Sequence, residues 1–491
     1  MTSITTQQIH GTPKIVLKQF EAIVGKSGVL STPEELIVFE CDGLASYRNP
    51  PALVVFPKTT TEVSEIIKVC DREGIPFVAR GSGTGLSGGA LPTDGCVLIV
   101  TSRMQQILEV DLDNQRMVVQ PGVINTWVTQ AVSQAGFYYA PDPSSQTVCS
   151  LGGNVAENSG GVHCLKYGVT ANHVLGLKLV LPDGSIVDTG DKIPETPGYD
   201  LTGLFVGSEG TLGIATEITL RILHSPEAIQ VLLADFTNIE AAGATVSDII
   251  SAGIIPAGME IMDNLSINAV EDAVGTNCYP RDAGAILLIE LDGLAVEVSA
   301  CSQQVEAICF RNGARNITAA TDPEARLKLW KGRKAAFAAA GKLSPDYFVQ
   351  DGVIPRTQLP LVLAEVEALS QKYGYQIANV FHAGDGNLHP LILYDNAVPG
   401  ALAKVEELGG EILKLCVRVG GSISGEHGIG ADKRCFMPDM FTAADLETMQ
   451  WVRHAFNPKE LANPGKIFPT PRTCGEAAHA HSPAFEHIEQ F

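Results

Sequence analysis

The chain has 491 residues, 45% of them apolar and 18% charged, with 49 glycines and a formal net charge of −21. One hydrophobic core rarely exceeds about 250–300 residues, so two or more domains are expected. The acidic balance argues against nucleic acid as a partner and against charge-driven attachment to an anionic membrane surface.

No apolar run reaches the roughly 18 residues of a membrane-spanning helix, and the N-terminus lacks an apolar signal core. The 11 cysteines include no C-x-x-C pair, which predicts reduced thiols and a cytoplasmic protein without an iron–sulfur cluster of its own. Residues 1–45 read as short helices, with KIVLKQFEAIVG amphipathic and TPEELIVF opening on a Thr-Pro cap. From Ala52 the order becomes β-α-β: ALVVFP, then the capped helix TTTEVSEIIKVCDREG, then IPFVAR. This runs into Arg80-Gly81-Ser82-Gly83-Thr84-Gly85-Leu86, where glycines let several backbone N–H groups approach one anion. It is not G-x-G-x-x-G, because position 86 is leucine, nor a G-x-x-x-x-G-K-[ST] loop, because no lysine follows.

Strands CVLIVTS and MVVQPGV and the helix NTWVTQAVSQAG lead to Pro141-Asp142-Pro143-Ser144-Ser145. Residues 150–161, SLGGNVAENSGG, read as a second loop of small residues unable to form a core. VLGLKLVLPDG and SIVDTG predict a hairpin around Pro182-Asp183-Gly184. A third glycine cluster, FVGSEGTLGI, enters the strand ATEITLRIL. Three such loops between buried strands line a groove for an extended phosphorylated ligand, so a nucleotide cofactor is expected there.

After about Leu223, strands such as EAIQVLLADF and AGAILLIELDG alternate with amphipathic helices, an α+β pattern. LWKGRKAAF is a helix carrying Lys331, Arg333 and Lys334, and the two lysines read as a solvated face. In NVFHAGDGNLH a strand ends at Phe381, a turn follows, and Leu388 begins another strand. His382 and His389 are therefore expected to face each other across the turn. Glu426 and His427 share a glycine-rich bend, GGSISGEHGIG. Singly, the turn histidines read equally well as structural. Two histidines with one carboxylate form a three-ligand set for a divalent ion with an open position, leaving one histidine to move protons. FTAADLETMQWVRHAFNPKE is a closing helix, followed by NPGKIF. Residues 471–491 read as a mobile tail whose His479, His481 and His487 are solvated.

The loops at 80–89, 142–145, 152–154 and 207–213 resemble the FAD-binding loops of the vanillyl-alcohol-oxidase-type flavoproteins. HAGDGNLH and GEHG resemble the D-2-hydroxyacid dehydrogenase branch. That branch includes glycolate oxidase flavin subunits, D-lactate dehydrogenases and D-2-hydroxyglutarate dehydrogenase; HAGDGNLHPLILYD and DGVIPR lie nearest the first of these. The resemblance implies an α+β chain: a two-part FAD-binding domain at 46–225, an α+β substrate (cap) domain at 226–425, and a C-terminal segment at 426–470 returning to the flavin.

It further implies that Gly81, Ser82, Gly83, Thr84 and Gly85, after Arg80, hold the FAD pyrophosphate. Pro141, Asp142, Ser145, Gly152, Gly153, Asn158, Gly160 and Gly161 would line the flavin and ribityl chain. Glu209, Gly213 and Ile214 would meet the adenine end, and Asn463 would return to the cofactor. Thr84 stands near where some relatives carry a flavin-linked histidine, so non-covalent FAD is expected. The resemblance assigns His382, His389 and Glu426 to a divalent metal, with Zn²⁺ first and Mn²⁺ or Fe²⁺ compatible. It assigns Arg333 to the substrate carboxylate and His427 to proton removal.

The implied reaction is oxidation of a small 2-hydroxy acid by hydride transfer to flavin N5, glycolate ahead of D-lactate. Larger-substrate relatives carry a lysine and an asparagine where this chain has Val349 and Leu391, which favours a small acid over D-2-hydroxyglutarate. A non-redox flavin-dependent transferase is the other alternative. The electron acceptor would be a partner protein, such as an iron–sulfur subunit, or a quinone. A homodimer is compatible, as is membrane association through a partner.

Overall fold

The computed structural model describes residues 14–190, 192, 198–275 and 277–469. The tail at 471–491, with its three histidines, lies outside the described residues. Short apolar runs form the strands Leu53–Val55, Phe77–Arg80 and Val97–Val100, which pair in parallel with Val97–Val100 in the centre. The expected helix between the first two runs from Thr60 to Glu73. The Thr59 hydroxyl accepts from the Glu62 N–H at its start, and Gly74 ends it at φ 65°. Val63, Ile66, Ile67 and Cys70 recur at helical spacing on its buried face.

A second, wholly antiparallel sheet runs in the order Ile107–Asp111, Arg116–Val119, Ile214–Arg221, Val174–Val180, Ile186–Gly190. Its last pair is the hairpin expected around Pro182-Asp183-Gly184, with Gly184 at φ 84°.

Residues 150–161 are not all loop. Leu151–Glu157 is a helix, because Leu151 and Val155, one turn apart, bury against Val123 and Phe205 in the core beneath the second sheet. Pairs at i and i+4 suffice to turn a small-residue stretch helical once a core is present. Gly152 of this helix packs so closely that a Cβ there would lie 2.6 Å from the Pro121 side chain.

From residue 228 onward a large sheet forms. Its centre runs Asn316–Ala320, Ala228–Phe236, Ala285–Gly293, Gly258–Asp263, Ile377–His382, every pair antiparallel. Alternate residues of one strand enter different cores. Leu287, Ile289 and Leu291 meet the helices Ile239–Ser251 and Ala295–Arg311, whereas Ile286 and Leu288 meet Asn264–Val274 and Pro323–Ala339. Both faces are covered, which is why AILLI is continuously apolar rather than alternating.

The closing helix Ala443–Phe456 is present, capped by Thr442. Beyond it Ala462 forms a parallel bridge with Phe77, so the last described segment returns to the first sheet. No helix among the described residues is long and apolar enough to cross a membrane.

Candidate active site

His382 ends the strand Ile377–His382, and Asn387 beyond the turn is its register partner. The turn closes because the Asp385 carboxylate accepts from the Asn387 N–H and Gly386 adopts φ 80°. The rings of His382 and His389 then meet edge to face, 5.1 Å between centroids. Glu426 arrives from the glycine-rich bend, its Oε1 3.3 Å from His382 Nε2 and 3.2 Å from His389 Nε2. His427 stacks on His389 at 4.9 Å with 1° between the ring planes.

Asp351 organises that bend. Its carboxylate accepts from the backbone N–H groups of Gly425 (3.1 Å), Glu426 (3.2 Å) and His427 (2.9 Å). It also accepts from Ser424 Oγ at 2.7 Å and Lys433 Nζ at 2.9 Å. Asp351 is fully buried and Lys433 is 1% exposed. Burial opposes the charge on Asp351, yet the Lys433 ammonium beside it holds its pKa well below the usual carboxylate range. Burial likewise opposes Glu426, but His382 and His389 hold it well below that range. His427 goes the other way: burial pushes it down to about 4, so its imidazole is neutral at pH 7.

His382, His389 and Glu426 offer one donor atom each, all within 4.8 Å of one another. Both ring nitrogens of His389 are buried without a hydrogen-bond partner. A buried imidazole left without a hydrogen-bond partner beside a second imidazole and a carboxylate fits a divalent cation and suits a mixed donor set.

A cleft of about 430 Å³ leads from this cluster to the glycine loops. Arg80, Gly81, Ser82, Gly83, Thr84, Gly85, Ser145, Gly152, Gly153, Glu209, Gly213 and Ile214 lie on its wall, and so do Glu426 and His427. Glycines that line the cleft leave room for an extended cofactor that side chains would fill. Gly152→Val is expected to overpack against Pro121 by about 1–3 kcal/mol. The check is visible flavin absorbance per chain, which should fall below wild type.

The other expected cofactor residues stand behind the wall. The Pro141 carbonyl accepts from Asn125, and Asp142 pairs with His163 Nδ1 at 2.9 Å. Asn158 ends the helix Leu151–Glu157 at φ 52°. Gly160 packs on Glu426, where a Cβ would come within 2.7 Å of Oε2, and Gly161 packs on the Asp142 backbone. Asn463 donates to the carbonyls of Gly89 (2.9 Å) and Glu209 (2.6 Å), tying two glycine loops together. The Glu209 carboxylate accepts from the N–H groups of Ile429 and Gly430, both at 2.7 Å, so the same loop also holds the Glu426-His427 bend.

Arg333 is 2% exposed and turned into the large sheet, with Nη2 2.5 Å from Glu260 Oε2. On the same helix Lys334 and Phe337 line the cleft. The reading of Lys334 as part of a plain solvated face misses this, because helical spacing alone does not say which exposed side borders a cleft. Asp351 and Lys433 carry no local signal, since their partners are brought together only by the fold. Glu260 has one: a lone carboxylate inside the apolar run GMEIM.

Residues 51–190 match the family described as FAD binding domain, and residues 225–467 match FAD linked oxidases, C-terminal domain. The chain is 51% identical over 468 residues to glycolate oxidase subunit GlcD of Escherichia coli (strain K12), covering 94% of this chain and 93% of that one. It is 32% identical over 465 residues to a D-lactate dehydrogenase of Anaerostipes hadrus, covering 93% and 97%. Among solved structures, 4-ethylphenol oxidase from Gulosibacter chungangensis matches with a TM-score of 0.76 at 17% identity, over 93% of this chain and 97% of that one, a likeness of fold.

Proposed function

The chain belongs to the FAD linked oxidases and is an FAD-dependent hydroxy acid dehydrogenase, and on that premise we propose that it oxidises a small 2-hydroxy acid, glycolate or D-lactate, with a divalent metal. The observation that carries this reading is that Glu426 and His427 line the same cleft as the glycine loops. When bound, the flavin supplies a two-electron acceptor and the ion supplies a Lewis acid for the substrate hydroxyl.

The chain's own residues do the rest. His382, His389 and Glu426 would hold the ion, and residues 81–85 would hold the cofactor pyrophosphate on backbone N–H groups. His427 accepts the hydroxyl proton at Nε2, the nitrogen 3.8 Å from Glu426 Oε1 and so nearest the ligand cluster. FAD held there would take up the two electrons of the substrate Cα–H bond as hydride, and the hydroxyl carbon would become the carbonyl of the 2-oxo acid. Arg333 is the cation for the substrate carboxylate, fixing which face of Cα is presented. Val349 and Leu391 are register partners beside Phe337 and Tyr347 in one apolar cluster. Neither Val349 nor Leu391 offers a donor to a second carboxylate, which favours a small acid.

Anaerobic mixing of the FAD- and metal-loaded protein with single acids tests this. Glycolate or D-lactate is expected to bleach the flavin, and a chelator to abolish bleaching until Zn²⁺ is restored. Bleaching that persists after complete metal removal would sink the metal part. No bleaching by any 2-hydroxy acid would sink the reaction.

A further inference from the structure

The strand Gly258–Asp263 is buried at all but its last residue, and its buried residues include one carboxylate among apolar neighbours. That residue, Glu260, is 1% exposed. Its register partner across the antiparallel ladder is His382, so the two side chains leave the same face of the sheet.

The two oxygens of Glu260 have different partners. Oε1 lies 2.7 Å from His382 Nδ1. A carboxylate there requires the imidazole proton on Nδ1, which leaves the lone pair on Nε2. Nε2 is the nitrogen that faces Glu426. Oε2 lies 2.5 Å from Arg333 Nη2, and the opposite charges compensate each other's burial. The angles at this contact are nevertheless not those of a hydrogen bond: Arg333 Nε, Arg333 Nη2 and Glu260 Oε2 are all buried without a hydrogen-bond partner. The guanidinium is held there by charge.

We propose that Glu260 is a positioning residue joining the two halves of substrate binding. One oxygen sets the tautomer and angle of the metal ligand His382, and the other holds the Arg333 guanidinium in place. This rests on the reading of His382, His389 and Glu426 as metal ligands. A carboxylate behind a ligating histidine fixes the ring and raises its basicity, and its loss typically weakens metal binding about 10- to 100-fold.

The test uses flavin-loaded protein stripped with a chelator and titrated with Zn²⁺ alone against a competing indicator. Glu260→Gln is expected to bind Zn²⁺ about 10- to 100-fold more weakly than wild type, with flavin per chain unchanged. At saturating Zn²⁺ its KM for glycolate is expected to rise more than its kcat falls, because the arginine has lost its holder. A variant that binds Zn²⁺ as tightly as wild type overturns the proposal. If the single variant does not accumulate because its buried arginine is stranded, Glu260→Gln combined with Arg333→Met removes both charges and is read by the same Zn²⁺ titration, with the same weakening expected. Wild-type protein that carries FAD yet takes up no Zn²⁺ fails the metal reading itself, a result distinct from failure of the Glu260 role.

Discussion

His427→Ala is expected to purify with FAD at the wild-type ratio and to reduce it with glycolate about 10²- to 10⁴-fold more slowly, the range lost with a general base. The retained flavin follows from where the bend is anchored. Its contacts to Asp351 run through the backbone N–H groups of Gly425, Glu426 and His427, none of which needs the imidazole. The lost rate follows from the ring alone, stacked on His389 and lining the cleft. Stopped-flow mixing without oxygen measures both quantities at once. A variant bleached at the wild-type rate would remove His427 from the proton transfer. The wild-type enzyme adds a pH check. Burial places the imidazole at about 4, and only the neutral ring accepts a proton. Flavin reduction should therefore be flat with pH above that value and fall as pH drops through it. A bound cation close by would move the fall lower still.

Lys433→Met is expected to destabilise the protein by about 3–5 kcal/mol, the cost of breaking a buried ion pair from one side. Lys433 and Asp351 are essentially without exposure, so water cannot replace the lost ammonium. The remaining carboxylate keeps its backbone and Ser424 donors but loses the charge that offsets its burial. Because that carboxylate orders the bend carrying Glu426 and His427, Zn²⁺ uptake should weaken along with the fold. Chemical denaturation of the flavin-loaded protein gives the stability change. Lys331→Met, on the exposed side of its helix, serves as the control, expected within about 0.5 kcal/mol of wild type. Equal midpoints for Lys433→Met and that control would show that Asp351 needs no counter-charge.

The elements that sequence reading recovers are those whose signal is local. The helix Thr60–Glu73 has its cap, its apolar stripe and its closing glycine within one stretch, and it forms as expected. The turn between His382 and His389 is legible for the same reason, since Asp385 and Gly386 determine its geometry unaided. Leu151–Glu157 is missed because its helicity comes from the core beneath it, which its glycines give no hint of. Asp351 and Lys433 stand far apart in the chain, and no spacing rule joins them. Arg333 shows the third kind of difficulty. Its residue type points to anion binding, but only the sheet register reveals that Glu260 already stands at its guanidinium.

Ala462 and Asn463, which bridge to Phe77 and clasp the loops at Gly89 and Glu209, also set an order in time. Asn463 lies 254 residues beyond Glu209, and the whole large sheet is encoded between them. A chain emerging from the ribosome thus exposes its glycine loops long before the clasp that holds them together exists.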